Sequence, residues 1–82
     1  MRQKKKRVKV FDVEGVKSFA ENFKRIRKSK GFTQESLSEK SGLELSQIAR
    51  IETAKSNATL STILTLSRAM KIKPSELFDF NL

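Results

Sequence analysis

The sequence contains no cysteine, histidine, tryptophan or tyrosine, a single proline and three glycines. Without cysteine there is no disulfide, no thiolate metal site and no thiol nucleophile. Without histidine, the usual general base near neutral pH and the commonest metal ligand are missing as well. Ser, Lys and carboxylates remain, yet the glycines build no phosphate-cradling loop, so an enzyme is not expected and neither is a cofactor. No apolar run nears the roughly 18 residues that span a bilayer, and none looks like the hydrophobic part of a signal peptide. A cytoplasmic chain with no membrane partner is the expectation.

What the sequence does have is charge, unevenly placed. Eighty-two residues suffice for one small domain, and they carry a net +9. Residues 1–30 hold twelve Lys or Arg against Asp12, Glu14 and Glu21, whereas residues 31–82 hold six of each sign. All of the excess therefore lies in the first 30 residues. Such asymmetry points to a polyanionic partner, either a nucleic acid or an anionic surface. Residues 1–7 are a charge run without apolar periodicity. The alternation in Val8–Val13 is compatible with a short strand at 8–13, which would need a partner strand to persist.

Further on, the pattern is helical. Ser18 and Glu21 have capping-box spacing, with Phe19, Phe23 and Ile26 on one face, and Gly31 ends this helix after Arg27, Lys28 and Lys30. A start near Val16, one turn earlier, is also open. Thr33 caps a second helix at about Gln34–Ser41, stopped by Gly42; a third runs from Leu45 to Thr53; Thr59 caps a fourth over Leu60–Met70. Pro74 opens a short fifth helix, Pro74–Phe78. The apolar end, Leu77–Leu82, is expected to pack against the fourth helix; the alternative is a dimer contact through Phe80 and Leu82. The division expected is a basic arm over 1–15 and an all-α, five-helix domain over 16–82.

Two short helices joined by a tight turn, the second amphipathic, form a helix-turn-helix arrangement. At about 100° per residue, Ile48, Ile51 and Glu52 share one sector, while Ser46, Ala49, Arg50 and Thr53 face the other way with Gln47 at the flank. Small side chains permit close approach to a groove, and a guanidinium can bond guanine O6 and N7 together. An ordinary surface helix with one solvated Arg has the same pattern, so the wheel alone does not decide.

The ordered set Arg27, Gly31-Phe-Thr-Gln-Glu-Ser-Leu37, Ser41-Gly-Leu43, Ser46-Gln-Ile-Ala-Arg-Ile-Glu52, Leu60-Ser-Thr-Ile-Leu-Thr-Leu66 and Pro74-Ser-Glu-Leu77 resembles the lambda-repressor-like (Cro/CI, XRE) DNA-binding family. The resemblance runs without gaps from Phe19 to Phe78. It implies a recognition helix at 45–53 with base contacts from Leu45, Ser46, Gln47 and Arg50. It further implies phosphate contacts from Arg27, Thr33, Gln34, Lys55, Ser56 and Asn57, and a structural ion pair between Arg27 and Glu52. A homodimer on double-stranded DNA, acting as a transcriptional regulator and most often a repressor, is the implied function. A DNA-binding antitoxin with a toxin partner is an alternative, and a non-DNA interaction module or general polyanion binder is a second. The sequence departs from the family pattern at Ala54, where Gly is usual, at Ala58, at Ser38 and Ser67 in small core positions, and at the apolar Leu45.

Two readings of residues 1–9 stand side by side, a solubilising tail and an arm that tracks phosphates. Each phosphate neutralised adds about −0.9 to the slope of log affinity on log salt. For an arm that tracks phosphates, deleting residues 1–9 flattens the slope measured by salt titration by several units; for a tail, the slope stays unchanged.

Overall fold

The computed structural model describes residues 10–82. Five helices follow in order: α1 (Val13–Ser29), α2 (Gln34–Ser41), α3 (Leu45–Glu52), α4 (Leu60–Met70) and α5 (Pro74–Leu77). No strand occurs among the described residues.

The start of α1 differs from the capping box at Ser18 and Glu21. Its N-cap is Asp12, whose carboxylate accepts the Gly15 N–H at 2.9 Å. Gly15 allows this tight closure, because a Cβ there would lie 2.6 Å from the Asp12 carboxylate. Glu14 in the first turn and Arg27 with Lys28 in the last complement the helix dipole. Ser18 and Glu21 are interior positions, with backbone groups already committed to the helix. The same cap removes the strand expected at 8–13: Val10–Asp12 are not in a strand, Val13 opens α1, and residues 8 and 9 lie outside the described residues.

The shorter helices have strong local stops and starts. Thr33 and Ser36 form a reciprocal capping box, each hydroxyl accepting the other's N–H at 2.9 Å. Gly42, at φ +82°, closes α2 in the left-handed region that suits glycine. Ser38 then explains its departure from a small apolar residue: its hydroxyl donates to the Leu43 carbonyl at 2.6 Å and pins the turn between α2 and α3. Ser67, also in the core, donates to the Ile63 carbonyl at 2.9 Å, so no polar atom is stranded there.

Each helix contributes one wholly buried side chain to a common core: Phe23, Leu37, Ile48, Leu66 and Leu77. At about 1.5–3 kcal/mol per buried side chain, this layer is what holds helices too short to persist alone. The C-terminal segment, expected against α4, also docks on α1: α5 touches both helices, and Phe78 and Phe80 lie against Phe19 of α1 with ring centroids 5.3 and 6.5 Å apart. The anchor is Asn22, a buried residue of α1 whose amide donates to the Glu76 and Leu77 carbonyls at 2.9 and 3.0 Å. The Glu76 carbonyl otherwise accepts only a long turn bond, from the Asp79 N–H at 3.4 Å, so the amide supplies what the end of α5 lacks. Leu82 stays exposed.

Ala54 has φ +60°, a conformation that costs an L-residue about 1–2 kcal/mol and costs glycine little. Ala54→Gly is expected to raise unfolding free energy by about 0.5–1 kcal/mol after the greater freedom of the unfolded glycine is subtracted. Urea denaturation checks this; a destabilised variant contradicts it.

Candidate nucleic-acid interface

The surface of α3 follows from which of its side chains the core takes. Ile48 and Ile51 are buried, fixing the helix rotation and leaving Ser46, Gln47, Arg50 and Thr53 exposed. Ala49 is half-buried and so belongs to the edge of the outer face. Leu45 is 40% exposed, neither packed inward nor free of its neighbours. Thr53 turns its hydroxyl back to the Ala49 carbonyl at 3.0 Å. Arg50 makes one long bond among the described residues, from Nη2 to the Lys55 carbonyl at 3.4 Å, and its guanidinium remains on the surface.

Beneath α3 lies a compact polar assembly. Arg27 of α1 and Glu52 at the end of α3 form a bidentate ion pair, with side chains only 8% and 3% exposed. Arg27 Nη2 reaches Glu52 Oε1 at 3.1 Å, and Nη1 donates to the Phe32 carbonyl at 2.7 Å. Every nitrogen of this guanidinium is engaged inside the fold. Arg27 is thus an internal bridge, and little of it is left for the phosphate contact that the resemblance also implies. Glu52 Oε1 accepts a further bond, from Gln34 Nε2 at 3.0 Å. Eighteen residues separate these two, and no sequence periodicity brings them together.

The other residues expected at a nucleic-acid backbone lie around the start of α2 and the loop after α3. Thr33 is exposed and Gln34 half-buried at the α2 N-terminus, whose free N–H groups and positive pole favour an anion. Lys55 and Asn57 are exposed and Ser56 is half-buried in the loop between α3 and α4. Sequence reasoning did not find Asn22, Arg25 or the bond that makes Gln34 the second partner of Glu52. Asn22 sits on the buried face between Phe19 and Phe23, and a polar residue on an apolar stripe is the signal that marks it. Arg25 donates to the Asn22 Oδ1 at 2.7 Å and completes that side chain's hydrogen bonding.

Among the described residues there is no group of carboxylates able to hold a metal ion, and no helix long and apolar enough to cross a membrane. Residues 23–77 match the HTH_3 helix-turn-helix family. An uncharacterised HTH-type transcriptional regulator of Sinorhizobium fredii, y4dJ, is 34% identical over 56 residues, covering 68% of this chain and 73% of that protein. Among solved structures, the restriction-modification controller protein C.AhdI from Aeromonas hydrophila superposes with a TM-score of 0.75 and 36% identity, covering 77% of this chain and 96% of that one. The wild-type restriction-modification controller protein C.Esp1396I superposes with a TM-score of 0.72 and 28% identity, over 78% of this chain and 84% of its own.

Removing one partner of a buried ion pair leaves a desolvated charge behind, at a cost of about 3–5 kcal/mol, whereas replacing both by apolar side chains is close to neutral. Glu52→Ala is therefore expected to lose several kcal/mol of unfolding free energy, and Arg27→Met combined with Glu52→Leu to lose much less. Equal losses in chemical denaturation would show that the pair is not the buried unit described.

Proposed function

This chain belongs to the HTH_3 helix-turn-helix family of DNA-binding transcriptional regulators, and from that premise we propose that it binds a specific duplex sequence as a homodimer, reads the major groove with α3 and represses transcription. The observation that carries the reading is the outer face of α3, where short side chains flank an exposed Arg50. Close approach needs the short chains, and sequence discrimination needs a group with fixed donor geometry. A guanidinium supplies that geometry toward guanine O6 and N7. Ser46 and Gln47 offer hydrogen bonds to neighbouring base edges, and Leu45 suits a thymine methyl.

Around this face, Thr33, Gln34, Lys55, Ser56 and Asn57 form the phosphate-contacting set. These contacts fix register and carry no sequence information. The positive pole of α2 supplies the anion site on one side of the groove, and the loop after α3 supplies the other. The likeness to two proteins named as restriction-modification controllers favours a narrower version, control of a restriction-modification system. The names of these relatives lend no support to the antitoxin alternative.

Selection from random duplexes tests the reading directly, since it yields the half-site and its spacing. Arg50→Ala is then expected to cost about 1–3 kcal/mol at one base pair per half-site, with a much smaller loss on random DNA. An unchanged base preference in Arg50→Ala removes α3 as the reading element.

A further inference from the structure

A side-chain amide joins the ends of α2 and α3 that lie away from their turn. α2 and α3 are joined at the Ser38–Leu43 turn, while Gln34 is the first residue of α2 and Glu52 the last of α3. Each thus stands a full eight-residue helix from the turn, on the order of 10 Å along its own axis. The bond from Gln34 Nε2 to Glu52 Oε1, at 3.0 Å, spans these two far ends.

We propose that Gln34 is a positioning residue that sets the angle between α2 and α3, and so the tilt at which α3 is presented to the groove. The inference rests on the groove-reading function given above and assigns it a further determinant.

Leverage is the first part of the case. A displacement of about 1 Å at an arm of about 10 Å turns a helix by about 6° and shifts the side chains at that distance by about 1 Å, enough to stretch a hydrogen bond beyond its usual range of about 2.7–3.2 Å. The bond also has a charged acceptor, which makes it stronger than a bond between neutral groups. Its acceptor is itself immobilised, because the Arg27 guanidinium holds both oxygens of Glu52 and is tied in turn to the Phe32 carbonyl. Gln34 therefore links α2 to a carboxylate fixed relative to α1, and all three helices are referred to one point. Leu45, the first residue of α3, has no polar group with which to make an equivalent link at the other end of that helix. The second N–H of the Gln34 amide is free to meet a phosphate, so backbone register and helix tilt would be set by the same side chain.

Gln34→Met keeps length and helix propensity and removes the amide. The test compares wild type and variant on the selected operator and on random duplex, with thermal unfolding of the free protein alongside. Expected is a fall of a few fold on random DNA, from the lost phosphate contact, and a fall roughly tenfold larger on the operator, so that the specificity ratio drops. A contact with phosphate alone lowers both affinities together and leaves the ratio intact; that result overturns the inference and leaves the groove reading standing. A wild-type protein with no preference for any duplex overturns the groove reading and this inference with it. A double-mutant cycle of Gln34→Met with Glu52→Gln, read on unfolding of the DNA-free protein, gives a second measure: non-additive losses are expected, and strict additivity counts against the link.

Discussion

The buried Arg27–Glu52 pair is the constraint on which the rest of the interface depends. Two long charged side chains out of water are a poor way to gain stability, because desolvation consumes most of the Coulombic return. What the pair provides is direction. A guanidinium and a carboxylate meet bidentately in one plane, and a second bond from Arg27 to the Phe32 carbonyl fixes that plane to the loop between α1 and α2. An apolar contact at the same place would hold α3 against the core and still permit it to roll. The roll angle decides which of its side chains face outward, so fixing it is a functional matter.

The same logic explains why α3 can be both short and exposed. It has eight residues and no side-chain cap at Glu44, so it cannot persist by itself. Ile48 and Ile51 anchor one face, Ser38 and Gly42 shape its entry, and Glu52 fixes its exit. With both ends and the inner face determined, the outer face is released from any structural duty. Ser46, Gln47 and Arg50 are exposed, so on the proposed reading they can vary with the duplex sequence at little cost to the fold. Ala54 marks the edge of that freedom: the chain must turn left-handed directly after α3, and alanine tolerates it less well than glycine.

How much of this was legible in the sequence depended on the range of the interaction. Thr33, Gly42, Thr59 and Pro74 act within a turn of their own positions, and the bounds of α2 and the starts of α4 and α5 follow from them to the residue. The start of α1 was misplaced because two local signals competed. Ser18 and Glu21 have the right spacing, but Asp12 with Gly15 caps six residues earlier and leaves the later pair inside a continuing helix. The docking of Phe78 and Phe80 on Phe19 rests on Asn22, more than fifty residues away from its partners. For the candidate site, the outward sector of α3 was readable from the period of Ile48 and Ile51. The Arg27–Glu52 pair came from the family resemblance, and the Gln34–Glu52 bond had no signal of any kind.

Charge placement follows from the same arrangement. α1 is polarised along its length of about 25 Å, with Asp12 and Glu14 at one end and exposed Lys24, Arg25, Lys28 and Lys30 towards the other. The basic end is the one that carries Arg27, and through Phe32 and Thr33 it leads straight into the positive pole of α2. These exposed cations make the end of α1 next to α2 attractive to a polyanion. On the reading proposed above, attraction and specific recognition act in series: these cations govern how often a duplex arrives, and the buried ion pair governs the orientation of α3 that it meets.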